Sequence, residues 1–460
     1  MAMEFIILGL YLFGLFVLIL RSNFFTVEGV KKPLLVSFWV LKLLVGLCFY
    51  VIFSCTPAYK DACNSEYFFK SGEKVFWLHN KPPQPTLFLD FMIGKGSNDS
   101  TYQAHAEKIG EQWYRQQENS IVNDNRTVIR INALLYAISF RFYSVHILFM
   151  CFISFVGSIL LFKAFPKQGK KQIYAATVAC FLVPSLLFWS VGVLKEPLIV
   201  LGLGGFLFYF RKIIMKFSIS DLILLILSSL LLFCIKMYVF ALILPLSLVL
   251  FCCQRKENFI LLKQLVSFVF LAAFCLLSHT CFQGKQADVV RAITSQNQRF
   301  YNISIEANRP AFHAPNLDGT AKSLVKNIPL ALYNSMTKPF AYPVNNFAKA
   351  CMNLETILLL LLLLVCLIFG NYRRFFKNNF ALFCASVSIC GFILIGLTMH
   401  DAVVLMRYKS IFLPFYVYAL LHLLDTDRVL FIFNRRKRRK SDNYDMVKSF
   451  EERMNKIMKR

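Results

Sequence analysis

Charged residues are scarce in this sequence, making up 17% of its 460 positions, and acidic residues are scarcest, with 25 Asp and Glu against 51 Lys and Arg. Hydrophobic residues make up 57%, and the mean hydropathy is +0.56. Water-soluble domains carry about a quarter charged residues and fewer apolar ones. The low charge content therefore excludes a water-soluble fold and predicts an all-α integral membrane protein with many spans.

The shortage of acidic residues leaves a formal net charge of +26. Nucleic-acid-binding proteins have such an excess, but the cytoplasmic loops of membrane proteins and their contacts with lipid headgroups produce it as well. Because apolar spans dominate this chain, we expect membrane lipid as a partner and no nucleic acid. The sequence does not identify a protein partner.

Familiar metal-binding motifs are also missing. The sequence has 14 Cys and 7 His, but it has no CxxC or HExxH motif and no Cys/His spacing typical of a zinc or iron site. Most of the Cys residues lie within apolar runs, where Cys behaves as a small apolar residue. Cys55 and Cys63 lie near the expected outer face, and the sequence leaves open whether they form a disulfide or remain thiols.

Long apolar runs are abundant. A helix needs roughly 17–25 apolar residues to cross a bilayer, and about eleven runs approach this length. If they alternate in direction, the basic clusters fall on one side, which the positive-inside rule assigns to the cytoplasm. We therefore expect a multi-pass protein of the cytoplasmic (inner) membrane, with its N-terminus outside and its C-terminus in the cytoplasm. The expected helices lie near 4–20, 33–55, 143–164, 173–191, 194–211, 219–235, 238–253, 264–282, 353–370, 380–398 and 409–425.

Two long polar segments interrupt the apolar runs and are expected on the outer side. The first, 56–142, has mixed charge; its stretch SNDSTYQAHAEKIGEQWYRQQ predicts a helix, and its end predicts an amphipathic helix in the membrane interface. The second, 283–352, is rich in Asn, Pro and aromatic residues and predicts an ordered loop with few helices. The chain thus divides into 1–55 (two transmembrane helices), 56–142 (large outer loop with interfacial helices), 143–282 (transmembrane core), 283–352 (second outer loop), 353–425 (C-terminal transmembrane helices) and 426–460 (basic cytoplasmic tail).

Five cations depart from the positive-inside pattern. Lys195, Arg407 and Lys409 lie at expected outer hairpins, and Lys42 lies well inside the second expected span. Lys236 interrupts an almost continuous apolar run and is expected at a tight outer hairpin or a re-entrant bend. Cations at such depths are retained where they face a cavity and meet an anion. A phosphate or pyrophosphate is an anion that needs several cations at once, so the five cations together predict a phosphate site.

Structural roles for the same residues remain open. Lys195 could pair with the adjacent Glu196 or extend to the headgroups. Lys42 costs about 2.5–3.5 kcal/mol in mid-span on insertion scales, but Glu355 could be its partner. Arg407 and Lys409 could belong to an ordinary interfacial belt.

Four stretches resemble a family of mostly uncharacterised bacterial membrane proteins that are similar to GT-C glycosyltransferases. PSLLFWSVGVLKEPL resembles the P-S-x-x-F-W-x-S-G-x-x-K-E hairpin of that family, and LMRYKSIFLPF resembles its R-Y-R/K-x-x-x-L-P-F motif. KNIPLALYNSMTKPFAYPVNNFAKACMNLET resembles its outer Pro-Phe loop and the following helix, which here carries Glu355. VIRINALLYAISFRFYSVHILFMCFISFVGSILLF resembles its interfacial helix and next span. The resemblance extends from about 36 to 425.

The resemblance implies a GT-C-like fold and transfer of a sugar from a polyprenyl-phosphate-linked donor at the outer face of the membrane, in cell-surface glycan assembly. It also implies an acidic catalytic base early in the first outer loop. Relatives tend to read G-D-T-x-x-Y-F there, whereas this chain reads ACNSEYF, with Cys63 at the Asp position. No cofactor is identified, although these carboxylates could hold a divalent metal. The candidate residues are Asp61, Glu66 and Asp99 for catalysis, and Lys42, Lys195, Glu196, Arg407 and Lys409 for the donor phosphate.

Two other classes of function remain open. A polymerase or ligase of lipid-linked glycans would use outer-face arginines and the second long loop, and would need no early Asp. A flippase or transporter for surface glycan export would spread charges through the membrane and would show a repeat between its halves. The sequence shows no such repeat.

Overall fold

The computed structural model shows an almost entirely helical protein. In the part of the chain that it describes there is no β-strand, and only two isolated bridges occur, between Val27 and Val30 and between Gly370 and Leu424. The described residues are 2–56, 64–80, 86–95, 99–110, 113, 124–252, 260–281, 288–306, 312, 315–339, 347–426 and 428.

The membrane-spanning candidates make up most of the helical bundle. Seven helices among the described residues are long and apolar enough to cross a membrane, and a bent pair near the C-terminus makes an eighth if it counts as one span. The observed architecture is almost entirely helical and is consistent with a multi-pass membrane protein, but the expected count of eleven spans is not confirmed. The helices of the bundle are α1 (Ala2–Arg21), α2 (Lys32–Tyr50), α7 (Tyr143–Ala164), α8 (Lys170–Phe181), α9 (Pro184–Trp189), α10 (Glu196–Met215), α11 (Ile219–Cys252), α12 (Ile260–Cys281), α15 (Phe347–Phe369), α16 (Tyr372–Phe376), α17 (Asn379–Thr398), α18 (Ala402–Lys409) and α19 (Leu413–Leu423).

Several of these helices expose large apolar side chains, as helices that face lipid do. The exposed rows lie on α1, on α2, on the first half of α11 and on α15. In water these surfaces would be unfavourable, because each exposed apolar side chain forgoes the free energy of burial. The exposed side chains include Phe5, Leu10, Phe13, Leu44, Leu47, Ile223, Leu227, Leu230, Leu361, Leu364 and Leu367.

Two of the expected spans are broken helices. The span expected at 173–191 is interrupted before Pro184, because Val183 has the extended backbone (φ −70°, ψ 115°) that a following proline favours. The span expected at 409–425 begins at the last residue of α18 and contains α19. These two helices meet at 66° and are separated by 410–412, so the bent pair begins at Ala402, before the expected span. Both breaks leave polar backbone and side-chain groups inside the bundle.

Helix α11 folds back on itself at Lys236, whose backbone is not helical (φ −149°, ψ 78°). Before this residue, Ser228 lies against Gly205 of α10, since a Cβ on Gly205 would be 2.3 Å from the Ser228 Oγ. After it, the ring centroid of Phe240 lies 5.8 Å from that of Phe206, the next residue of α10. Twelve residues of straight helix would separate Ser228 and Phe240 by about 18 Å. The two arms of α11 therefore run in opposite directions, with Lys236 at their joint, as the sequence predicted.

Contacts between chain segments define the two ends of the bundle. One end, here called the basic end, contains the turns that carry the basic clusters, and hydrogen bonds join these turns. Lys163 Nζ donates to the Phe24 carbonyl at 2.5 Å, and Arg211 Nη1 donates to the Ala164 carbonyl at 2.8 Å. The backbone N–H of Asn371 donates to the Leu423 carbonyl at 2.9 Å.

The opposite end, here called the polar end, carries the start of α1 and the start of α7. Ser144 Oγ donates to Glu4 Oε1 at 2.6 Å, which fixes these two helices side by side. Lys236 and the loop 190–195 lie at this end as well. The clustering of basic turns at the other end agrees with alternating spans.

Helices α7 and α10 pack closely through two glycines. A Cβ on Gly204 would lie 2.2 Å from the Gly157 carbonyl oxygen, and a Cβ on Gly157 would lie 2.5 Å from the Leu201 amide nitrogen. Only glycine allows two helix backbones to approach so closely. This contact fixes α10, and with it the loop that precedes it, against the core of the bundle.

The first outer segment packs on the polar end through short helices. Gly72 of the first of them lies against Asn132. The predicted helix near residue 100 is present, and Asp99 caps it by accepting a hydrogen bond from Thr101 N at 2.9 Å. The helices of this segment are α3 (Ser65–Phe76), α4 (Leu87–Ile93), α5 (Ser100–Ile109) and α6 (Asp124–Ser139).

The second outer segment is more helical than the sequence suggested. It contains α13 (Val289–Glu306) and α14 (Ala321–Thr337), where a loop with few helices was expected. Thr320 caps α14 by accepting from Ser323 N, and the helix continues through Pro329. Ala331 lies against Gly396, so α14 packs closely on α17. Packing on the bundle thus overrides the proline and asparagine content of this segment.

Candidate functional site

Five buried or nearly buried charged residues meet at the polar end, and we call them the polar cluster. Each one is located where a helix begins, bends or breaks. The group brings together the first outer segment, the loop before α10, the bend of α11 and the broken C-terminal span. The polar cluster consists of Asp124, Lys195, Glu196, Lys236 and Arg407.

Asp124 is the carboxylate shared by both lysines. Its Oδ2 lies 2.6 Å from Lys195 Nζ and 3.2 Å from Lys236 Nζ. Lys236 Nζ also donates to the hydroxyl oxygen of Tyr408 at 3.4 Å. Burial alone would raise the pKa of Asp124, but the charges of Lys236 and Lys195 hold that pKa well below its usual range. Asp124 is therefore ionised and is a weak base.

Glu196 and Arg407 form the second half of the polar cluster. Arg407 Nε donates to Glu196 Oε1 at 2.6 Å and Arg407 Nη2 donates to Oε2 at 2.8 Å, which is a bidentate pair. Glu196 is the first residue of α10, where the helix dipole favours a negative charge. The guanidinium carbon of Arg407 lies 5.7 Å from the ring centroid of Trp189. The sequence suggested a Lys195–Glu196 pair, whereas the structure pairs each residue with a different partner.

The charges of the polar cluster do not cancel. Lys195, Lys236 and Arg407 supply three positive charges, and Asp124 and Glu196 supply two negative ones. Burial lowers the pKa of Lys195 from 10.5 to about 7, although the Asp124 carboxylate acts in the opposite direction. Among the described residues, the polar cluster therefore has one cation more than it has carboxylates. Lys195 loses its charge most easily, because burial lowers its pKa.

Two hydrogen bonds from other helices hold the loop that carries Lys195, one to α2 and one to α3. Lys42 is buried in α2 and donates to Ser190 Oγ at 3.0 Å. On the other side, Val193 N donates to Ser65 Oγ at 3.0 Å, and that hydroxyl lies 2.6 Å from the Tyr143 hydroxyl. Lys42 thus contacts the loop of the polar cluster, but its bond is to Ser190 and not to Glu355.

Lys409 and Glu355 lie apart from the polar cluster. Lys409 is buried, and its Nζ lies 5.6 Å from the ring centroid of Phe392. Glu355 accepts from Ser185 N at 3.2 Å and from Ser185 Oγ at 3.0 Å, and its charge acts on Lys409. The structure therefore brings Lys195, Glu196 and Arg407 together, links Lys42 to them through Ser190, and associates Lys409 with Glu355.

Two of the three proposed catalytic carboxylates, Glu66 and Asp99, have local partners in the first outer segment. Glu66, which is partly buried, pairs with the exposed Lys70 at 2.7 Å on α3, and Asp99 caps α5. Asp61 and Cys63 lie outside the described residues, so the catalytic role of Asp61 and the pairing of Cys63 stay predictions. Within the described part of the chain, no three His, Cys, Asp or Glu side chains are grouped as metal ligands would be.

Sequence reasoning missed two members of the site. Asp124 was counted only as one acidic residue of a mixed segment, although its place at the start of an amphipathic helix could have drawn attention to it. Lys236 is one of the five cations that predict a phosphate site, but it is not among the candidate residues for the donor phosphate; a lysine within a long apolar run is the signal that identifies it. Comparison with protein-family models, curated proteins and solved structures finds no match for this chain.

Proposed function

We propose that this protein is a membrane glycosyltransferase that uses a polyprenyl-phosphate-linked sugar, and that the polar cluster binds the phosphate of this donor. The observation that carries the proposal is the buried excess of one cation over the carboxylates of the polar cluster. Buried cations are retained where an anion meets them. A phosphodiester carries one negative charge and so matches the excess.

The location of the polar cluster supports a lipid-borne phosphate. It lies at the end of the helical bundle, where a spanning protein meets the headgroup layer, and it is made by broken helices. Irregular backbone at membrane depth is tolerated where it is buried in protein or lines a cavity. A donor phosphate near Lys195 would add one negative charge beside this lysine, while Asp124 keeps Lys236 and Glu196 keeps Arg407 in place.

In this proposal the transfer takes place at the outer face of the cytoplasmic membrane, with the basic end in the cytoplasm. The acceptor hydroxyl must lose a proton as the glycosyl phosphate leaves, and Asp61 is the base that the family resemblance implies. Asp124 is unsuited to this task because its two lysine partners keep it a weak base. Asp124 instead positions the lysines.

The experiment that tests this function measures donor turnover. The purified protein in nanodiscs is given a polyprenyl-phosphate-linked sugar with a radiolabelled sugar, together with membranes as the acceptor source. We expect the label to leave the carrier lipid with wild-type protein, and Asp61→Asn to abolish this release without weakening donor binding. Absence of release above the protein-free background with every donor tried would contradict the proposal.

Polymerisation or ligation of lipid-linked glycans is the second candidate. It is favoured by the local roles of Glu66 and Asp99, which form an ion pair with Lys70 and a helix cap. Such an enzyme would depend on Arg407 and not on Asp61. Release of the sugar that survives Asp61→Asn but is lost in Arg407→Lys, which keeps the charge but not the bidentate geometry, would favour this alternative.

A further inference from the structure

A second group of cations surrounds a cleft at the basic end, far from the polar cluster. The cleft has a volume of about 540 Å³, within the range of small-molecule sites. It lies between the start of α8, the turn that contains α16, and the last turn of α19. We call it the basic cleft, and its lining residues are Gln168, Gln172, Asn371, Arg373, Arg374, Lys377, Asn378 and His422.

The charge of the basic cleft has one sign. Arg373, Arg374 and Lys377 are exposed cations, and no Asp or Glu is among the described residues that line the cleft. Asp425, which follows α19 and is not among the lining residues, pairs with Arg428 at 3.2 Å. The side-chain carbonyl of Gln172 is already occupied, since its Oε1 accepts from the backbone N–H of Gln168 at 2.8 Å. The three cationic side chains of the lining therefore favour an anion as the ligand of the cleft.

His422 distinguishes this cleft from an ordinary basic surface. Its side chain is buried, with 2% of its surface exposed, and it stacks on Tyr418 with ring centroids 6.2 Å apart. Neither ring nitrogen has a hydrogen-bond partner in the described structure, although the ring lines the cleft. A buried polar group without a partner is unfavourable, and such groups normally bond to protein, water or a ligand. The imidazole thus has unused hydrogen-bonding capacity beside the cleft.

We propose that the basic cleft binds a phosphate-bearing anion, with Arg373, Arg374 and Lys377 around the phosphate and His422 bonded to one of its oxygens or hydroxyl groups. Guanidinium groups bind phosphate through paired hydrogen bonds, and lysine adds a point charge. The phosphate can belong to an anionic phospholipid headgroup or to a free soluble phosphate. Both sources share the chemistry that the cleft recognises.

The test uses full-length protein purified in neutral detergent and stripped of lipid. One arm measures retention of phosphatidylglycerol by native mass spectrometry after reconstitution in phosphatidylcholine nanodiscs that contain it. The other arm titrates the protein with inorganic phosphate by calorimetry. The variants are R373Q/R374Q/K377Q, which removes three charges, and His422→Leu, which removes the buried nitrogens without changing an exposed cation.

The matched control is R21Q/K31Q/K216Q, which removes three exposed cations of the basic end outside the cleft. We expect the cleft triple variant to lose roughly tenfold or more in one arm, His422→Leu to lose affinity in the same arm, and the control to stay near wild type. Loss in the lipid arm identifies a headgroup, and loss in the titration identifies a soluble phosphate. The proposal is overturned if cleft and control variants behave alike in both arms, or if His422→Leu binds as wild type.

Discussion

Arg407 and Glu196 are 211 positions apart in the chain, yet they form a bidentate ion pair with N–O distances of 2.6 and 2.8 Å. Glu196 is almost completely buried, with 1% of its surface exposed. The pair joins the first residue of α10 to the broken C-terminal span. It therefore holds together the elements that build the polar cluster.

Removing one partner of this pair should be costly, because the other charge is left buried. We expect Arg407→Gln to lower the free energy of unfolding by about 3–5 kcal/mol, and R407Q/E196Q to recover part of that loss. Thermal unfolding in detergent measures both variants. The pair Glu66–Lys70, in which Lys70 is exposed, is the control, and E66Q/K70Q should cost about 1 kcal/mol or less. Equal losses from R407Q and E66Q/K70Q would contradict the buried role of Arg407.

Donor binding should depend on pH through Lys195. Burial lowers the pKa of this residue to about 7, so its charge is present below that pH and is lost as the pH rises through it. We expect the affinity for the donor phosphate to fall above about pH 7. In Lys195→Arg the guanidinium stays charged, so the affinity should be nearly constant over the same range. A wild-type profile as flat as that of Lys195→Arg would exclude Lys195 as the group that titrates.

The fold could be predicted where apolar length alone decides it. The expected span 143–164 coincides with α7, and 380–398 differs from α17 by one residue. Prediction was less successful where proline or a bend interrupts a span, as at Pro184 and between α18 and α19. There the local break competes with hydrophobicity, and packing against neighbouring helices decides whether the chain crosses, turns or bends.

The site could be predicted only in part, for a related reason. Misplaced cations are visible in a hydrophobic sequence, and three of the five expected residues, Lys195, Glu196 and Arg407, do come together. Their partners could not be read from the chain, because Asp124 is brought to Lys195 by the docking of α6 on the bundle. Adjacency in sequence suggested Glu196 as the partner of Lys195, whereas the tertiary fold provides Asp124.

The glycine contact between α7 and α10 should be intolerant of any side chain. In Gly204→Ala the new Cβ would lie 2.2 Å from the Gly157 carbonyl oxygen, so the helices must move apart. We expect a loss of about 1–3 kcal/mol or more in unfolding free energy. Gly14→Ala is the control, since nothing lies within 4 Å of a Cβ there. Similar melting temperatures for Gly204→Ala and wild type would argue against the close packing of these helices.

The orientation of the chain can be tested with reporters. If the basic end faces the cytoplasm, a reporter fused after Lys440 should be active only as a cytoplasmic reporter, and one inserted at Gly96 only as a periplasmic reporter. Fusing the cytoplasmic and periplasmic reporters in turn at each position provides the matched control. Finding both positions on one side would contradict the alternation of spans.

The central claim is that Lys195 binds the phosphate of a lipid-linked sugar, and the most direct test is the affinity of Lys195→Met for a polyprenyl-phosphate-linked sugar in nanodiscs. Methionine keeps the side-chain length and removes the charge, and Asp124 retains Lys236 as its partner. We predict a loss of about 1.5–3 kcal/mol, or roughly ten- to a hundredfold in affinity, with Lys70→Met, an exposed cation of the first outer segment, binding as wild type. Unchanged donor affinity in a correctly folded Lys195→Met protein would contradict the account.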